Sequence, residues 1–235
     1  MIKFQGMKSP KIVILYGFPG AGKDTQAEIL EESLDFSQIS SSKLIEEKIF
    51  NPELQNDPVI KKERELYEKG VLCTPEWVTK IINDKVAEMH AEKRSPVFSG
   101  SPRTLYEAEN EIPYWESIYQ KEKIFIFLIK ISEDTSIFRN THRRVCSICR
   151  HPIIYSEENK SITICPMCGG VLKKRLLDTE ELMQTRVKEY KERTEPIFVY
   201  LKNKGYKIFE IDGEVSPNEV AKQIIKNIPN GEIEE

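Results

Sequence analysis

The sequence lacks any apolar run long enough to cross a bilayer: its longest, residues 124–129 (IFIFLI), falls far short of the ~20 residues a spanning helix needs. Its first ten residues, MIKFQGMKSP, carry no apolar leader, so the expected compartment is the cytoplasm and no membrane partner is expected. It also lacks a charge excess. Lys and Arg number 35 against 38 Asp and Glu, for a net charge of −3 and a pI near 5.9, which argues against a dedicated nucleic-acid binder. Five cysteines in 235 residues exclude a disulfide-stapled mini-protein, because a chain this long buries a sizeable core unaided. No internal repeat, low-complexity tract or long linker divides it, so one core with small insertions is expected. With 39% hydrophobic and 31% charged residues, the composition is that of an ordinary globular chain.

Against those absences stands a regular alternation. Residues 11–16 (KIVILY) form a short apolar run ending in glycine and proline, and residues 24–33 follow with Ala27, Leu30 and Leu34 on one helical side. That is a buried strand, a glycine turn and a helix. Further strands are expected at 36–40, 95–99, 123–131 and 206–211, and strands alternating with helices imply a parallel α/β sheet. Tyr67, Trp77, Trp115 and Phe198 recur at helical spacing and are expected in the core. The mixed-charge run at residues 61–65 (KKERE) reads as a solvated helix face.

Gly17-Phe18-Pro19-Gly20-Ala21-Gly22-Lys23-Asp24-Thr25 reads G-x-P-G-x-G-K-x-T, a phosphate loop in its proper place between strand and helix. The glycines let backbone N–H groups turn toward phosphate oxygens, Lys23 brings a cation to the terminal phosphates, and Thr25 with the helix N-terminus completes the anion site. The Asp24 side chain is expected to point to solvent.

Cys146-x-x-Cys149 and Cys165-x-x-Cys168 stand 15 residues apart. Each short turn brings two thiolates to one side, and four make a closed tetrahedral Zn²⁺ site with no open position for water, hence a structural zinc. An iron–sulfur cluster, two disulfides or a nucleic-acid-binding ribbon compete with that reading. His142 and His151 flank the site. Cys73 stands alone and reads as a buried or cleft-lining thiol, not a nucleophile.

The chain resembles the adenylate kinase family of nucleoside monophosphate kinases, of the long-lid, zinc-containing type. The resemblance rests on GFPGAGKDTQA, KGVLCT at 69–74, GSPRT at 100–104, HRRVC at 142–146 and DGEVSPNEV near the C-terminus. It implies a five-stranded parallel sheet flanked by helices, a P-loop core at residues 11–40, 81–142 and 180–228. A helical monophosphate-binding insertion is implied at 41–80 and a zinc lid at 143–179, with tails at 1–10 and 229–235. It implies Mg²⁺-dependent transfer from ATP to AMP, giving two ADP, in a monomer. Implied catalytic residues are Lys23, Arg103, Arg139, Arg143, Arg175 and Arg186. The ATP side takes Gly17, Pro19, Gly20, Ala21, Gly22, Lys23, Asp24, Thr25, Arg139 and Arg143. The AMP side takes Ser41, Glu46, Leu72, Gly100, Arg103, Glu107, Arg175 and Arg186.

The departures from the family pattern lie on the acceptor and magnesium side. Lys43 stands at a family acid, Glu46 at a phosphate-binding arginine, Ser99 at the strand-end aspartate, Glu107 at a base-reading glutamine and Leu177 at an aspartate. They leave room for a different acceptor base, or for a nucleotide-binding protein of weak catalysis.

Overall fold

The structure, a computed structural model, describes residues 10–149, 152, 153, 155, 159–174 and 178–229. In chain order, β1 (Ile12–Tyr16), α1 (Lys23–Leu34) and β2 (Phe36–Ile39) are followed by α2 (Ser41–Ile49), α3 (Pro58–Glu68) and α4 (Pro75–Ala91). Then come β3 (Ser95–Ser99), α5 (Leu105–Tyr119), β4 (Ile124–Lys130) and α6 (Glu133–Thr141). Three short strands, β5 (Arg144–Cys146), β6 (Pro152–Ile153) and β7 (Leu172–Lys174), precede α7 (Glu180–Glu189), α8 (Pro196–Asn203), β8 (Ile208–Asp212) and α9 (Pro217–Ile225).

Among the described residues the main sheet has five parallel strands in the order β2-β3-β1-β4-β8. Successive side chains of β1 point to opposite faces, which divides the core in two. Ile12, Ile14 and Tyr16 pack with Val78, Ile82, Val86, Trp115 and Leu201 of α4, α5 and α8. Val13 and Leu15 pack with Ala27, Leu30, Val220 and Ile224 of α1 and α9. Both faces are covered, so β1 is buried at every position and reads as a continuous apolar run rather than an alternation. Trp115 is fully buried, stacks on Phe98 with centroids 4.1 Å apart, and donates its indole N–H to Asn83 Oδ1 at 3.2 Å.

No helix among the described residues is long and apolar enough to cross a membrane. The expectation of a fully solvated face at 61–65 is corrected at Glu63, which is buried. Its carboxylate accepts the Thr74 N–H at 2.7 Å and the Thr74 hydroxyl, tying α3 to the start of α4. A charge run shows composition, not which turn of the helix faces a neighbour.

Candidate functional site

In open parallel sheets ligands bind outside the carboxyl ends of the strands, and here β1 and β3 deliver the two glycine loops to that edge. After Tyr16 the chain turns through residues 17–22 into α1. Gly20 sits at φ +78°, and a Cβ there would lie 2.3 Å from Asn140 Nδ2. A larger residue would displace the Asn140 side chain, and the positive φ itself favours glycine. Helix α6 holds the loop from behind: Ser136 Oγ donates to Pro19 O at 2.6 Å, and Asn140 Nδ2 to Ser136 O at 2.7 Å. Ser136 and Asn140, both buried, carry no motif by which the sequence marks them.

Lys23 opens α1 and folds its ammonium back into the loop, donating to Gly17 O at 2.8 Å and Phe18 O at 2.9 Å. Burial, seconded by the Arg103 guanidinium, lowers its pKa from 10.5 to about 7. Thr25 follows in the first turn of α1 and Ala21 is buried in the loop. Asp24 is exposed, but not pointing freely to solvent as expected. Its Oδ1 accepts from Ser99 Oγ at 2.6 Å and Gln38 Nε2 at 3.4 Å.

The loop after β3 faces the first. Gly100 has φ +116°, and a Cβ would come 2.4 Å from the Arg103 guanidinium. Its carbonyl accepts from Arg103 Nε at 2.6 Å and from the buried Ser41 hydroxyl at 2.7 Å. The Arg103 backbone is clamped on both sides: its N–H donates to Glu107 Oε2 at 2.6 Å, and its carbonyl accepts from Thr194 Oγ1 at 2.7 Å. Thr194 and Tyr190 belong to a π-helical turn, Tyr190–Thr194. Both line the cleft, as does Glu189. Glu189 also takes the Leu72 N–H at 3.1 Å and Arg193 at 3.2 Å. The sequence holds no signal for these three, because their role depends on where α7 meets the two loops.

Gly17, Lys23, Leu72, Gly100, Arg103 and Arg186 line one cleft of about 870 Å³, open mouth included. Arg143 lines the neighbouring cavity with Asp24, Lys43 and Glu46. Asp178, whose side chain is 2% exposed, accepts Arg143 in a bidentate pair at 2.8–3.0 Å and lies 3.9 Å from Arg186. One buried carboxylate thus holds two guanidiniums toward adjacent cavities, the planar fork geometry that favours Arg over Lys. Arg139 is placed elsewhere, on Gly213 O at 3.0 Å and Glu214 at 3.8 Å. Glu46 accepts the Tyr67 hydroxyl, and Lys43 reaches Gln38 Oε1 at 3.4 Å. Arg175, Leu177 and His151 lie outside the described residues. Cys73 is buried, and burial with the Glu63 charge pushes its thiol up to about 12, which suits packing rather than nucleophilic attack.

Behind Arg103 two carboxylates are buried on successive turns of α5. Glu107 is not among the cleft-lining residues; it serves the Arg103 backbone instead. Glu111 accepts Ser101 Oγ at 3.4 Å. The Tyr16 hydroxyl nearby has no hydrogen-bond partner among the described residues. Burial raises both acids, Glu111 well above its ordinary 4.5 with the Glu107 charge adding to the effect. Between pH 4.5 and the raised folded value, the unfolded chain has lost a proton that the folded chain keeps. Rising pH therefore removes stability across that window. Glu111→Gln is expected to raise the Tm by about 2–4 °C at pH 8, the shift that ~1 kcal/mol gives in a chain of this size. At about pH 4, where both states hold the proton, it should change little. Thermal unfolding at the two pH values checks this, and equal shifts at both would contradict it.

The four remaining cysteines gather beside the small antiparallel sheet β6-β5-β7. Cys146 and Cys168 sulfurs lie 3.4 Å apart, Cys149 and Cys165 3.7 Å apart, and all four lie within 4.8 Å of one another. A tetrahedral Zn²⁺ with ~2.3 Å bonds spaces its sulfurs about 3.8 Å apart, so the donor set and its spacing fit such an ion. Burial alone would raise the Cys146 thiol, but the Ile148 and Cys149 N–H groups and neighbouring sulfurs outweigh it and hold it at about 6. His142 is not in the group: its ring stacks on Phe138 at 4.2 Å.

Comparison with known proteins bears on the whole arrangement. A family model described as Adenylate kinase matches residues 15–206. An adenylate kinase of Borreliella burgdorferi is 32% identical over 216 residues, covering 91% of this chain and 96% of that protein. One from Archaeoglobus fulgidus is 32% identical over 90% of this chain and 95% of its own length. One from Caldicellulosiruptor bescii is 31% identical over 91% and 97%.

Proposed function

From the premise that this chain belongs to the adenylate kinase family, we propose that it transfers the terminal phosphoryl group of Mg²⁺·ATP to AMP, giving two ADP. The observation that carries the reading is the convergence of Lys23, Arg103 and Arg186 on the one cleft between the two glycine loops. Transfer between two nucleotides crowds several negative charges, and the acceptor phosphate is already an anion. Catalysis is then positioning and charge neutralisation, without a general base.

In this reading the phosphate-loop amides and Lys23 hold the donor phosphates, with Thr25 beside them. Arg103 and Arg186 hold the acceptor phosphate and the group in flight, and Arg143 and Arg175 bring further positive charge, whereas Arg139 is held by Gly213 and Glu214. Ser41, Leu72 and Gly100 shape the acceptor side. The clamps from Glu107 and Thr194 keep the Arg103 backbone from relaxing when anions arrive. Such preorganisation is worth more than added charge, because no reorganisation is needed during the reaction.

Residues 41–80 are proposed as the acceptor-side insertion and 143–179 as a lid that excludes water from the cleft, which prevents ATP hydrolysis. Cys146, Cys149, Cys165 and Cys168 would hold one structural Zn²⁺ there, stiffening the lid without touching substrate. The protein is proposed to work as a cytoplasmic monomer, with its nucleotides as its only partners.

One observation favours a second acceptor: Glu46 and Glu107 replace the groups that the family uses to bind AMP, and each is engaged by Tyr67 or Arg103 instead. Nucleoside diphosphate formation from Mg²⁺·ATP with AMP, GMP, CMP or UMP tests both readings, with Lys23→Ala as the blank. AMP is expected to be used best. Preference for another base would transfer the reading to that acceptor, and no formation above the blank with any acceptor would end it.

A further inference from the structure

The chain carries a carboxylate inside its phosphate loop, and the structure supplies its partner. Asp24 follows Lys23 in the first turn of α1, and Ser99 ends β3, the strand hydrogen-bonded beside β1. The two positions are 75 residues apart in sequence, yet Ser99 Oγ donates to Asp24 Oδ1 at 2.6 Å. Gln38, on the far side of β3, adds a second donor at 3.4 Å to the same oxygen. Lys43 in turn donates to Gln38 Oε1 at 3.4 Å. Asp24 Oδ2 takes no hydrogen bond among the described residues, and the residue lines the cavity that adjoins the cleft.

A carboxylate here has an electrostatic problem. Polyphosphate bound by the loop places several negative charges within a few ångströms of it, and like charges at that range oppose binding unless a cation stands between them. Mg²⁺ arriving with ATP is such a cation. In P-loop proteins the nucleotide's Mg²⁺ is generally met by the loop Ser/Thr and by an acid from a neighbouring strand. Here the strand end offers the neutral Ser99, and the acid sits in the loop, held by that serine.

Resting on the reading above, we infer that Asp24 is the carboxylate that meets the Mg²⁺ of Mg²⁺·ATP, and that Ser99 is its positioning residue. The pair divides one task between two elements: the loop contributes the charge, and the strand end fixes its direction. A side chain that merely favoured the helix N-terminus would need no such partner. Mg²⁺ prefers oxygen ligands and keeps several waters, so one carboxylate oxygen left without a partner suits it.

The test uses the full-length protein and Mn²⁺ as a paramagnetic stand-in for Mg²⁺. Water-proton relaxation gives the affinity for Mn²⁺·ATP, and metal-free ATP binding is measured beside it. Asp24→Asn keeps the shape and removes the charge. It is expected to weaken Mn²⁺·ATP binding about tenfold, while metal-free ATP binds as well as before or better. The magnesium concentration for half-maximal ADP formation should rise by a similar factor.

In the double variant Asp24→Gly with Ser99→Asp, which moves the carboxylate to the strand end, the preference for metal-bound ATP should return. Ser99→Ala alone should give a smaller loss than Asp24→Asn. An unchanged ratio of Mn²⁺·ATP to ATP affinity in a folded Asp24→Asn protein would overturn the inference, whatever the transfer rate. Loss of that ratio supports it even if wild-type protein phosphorylates no monophosphate, since the binding readout does not depend on transfer.

Discussion

Replacing Lys23 by alanine is expected to slow ADP formation by about 10²–10³-fold, the usual effect of removing one preorganised charge from a transition state. The loop should survive the change, because Ser136, Asn140 and the φ angles of its glycines hold it independently of the ammonium. Metal content and Tm should therefore stay close to wild type, and a chain that loses its fold along with its activity would point to a structural lysine instead.

The same residue makes a prediction about protons. With its pKa lowered to about 7 by burial, Lys23 is mostly neutral at about pH 8. Phosphate beside it favours the charged form and raises the pKa. ATP binding at pH 8 is then expected to take up a fraction of a proton, and at pH 6 almost none. Calorimetric binding enthalpies in buffers of different ionisation enthalpy measure this uptake. The buffer dependence should vanish in Lys23→Ala, and a wild-type enthalpy equal in all buffers at pH 8 would refute the assignment.

The second large effect belongs to the four thiols. Among the described residues, the cluster packed at β5–β7 buries Cys146, Ile153, Cys165 and Leu172, with Ile162 against it. Burying each of two aliphatic side chains contributes roughly 1.5–3 kcal/mol, whereas ordering each residue costs about 1–2 kcal/mol of backbone entropy. The apolar contacts of the described residues leave this small sheet short of stability. A structural Zn²⁺, whose binding free energy in small zinc modules is about 10–16 kcal/mol, would close that gap.

Removing the metal with a chelator, or changing Cys165 to serine, is therefore expected to disorder the small sheet. ADP formation should fall at least tenfold, in proportion to metal content, while the main sheet stays folded. Metal analysis, far-UV circular dichroism and activity on the same sample check this. Full activity in metal-free protein would show that the thiols do not support the lid. Two absorbing disulfide-like equivalents per chain in place of metal would favour the oxidised alternative.

How much of this was legible beforehand varies by element. The first strand, its glycine turn and the helix after it stand where the sequence puts them, because each depends on periodicity and backbone conformation within about twenty residues. The strand expected at 206–211 begins two residues later, at Ile208, and ends one later, at Asp212, since Tyr206 is as apolar as the strand it precedes. Glu63 was read as solvated and is buried, because mixed charge along a helix does not say which side meets a neighbour. Ser41, Leu72 and Arg103, named from their motifs, lie at the Gly100 loop or line the cleft. Glu189 and Thr194 carry no mark in the sequence, because they reach the cleft through the end of α7 and the π-helical turn after it, neither of which has a compositional signature.

What the amino-acid order determined by itself was the set of local devices: a parallel α/β alternation, a glycine-rich loop between strand and helix, and two thiol turns, each specified by spacing along a short segment. The tertiary structure alone decided which side chains from distant segments share a space. It set Ser99 against Asp24, Asp178 between two arginines, Thr194 on the Arg103 carbonyl and Arg139 on Gly213. The physical reason is that backbone geometry couples residues a few positions apart, whereas contacts across the sheet follow from the order β2-β3-β1-β4-β8, which no periodicity along the chain encodes.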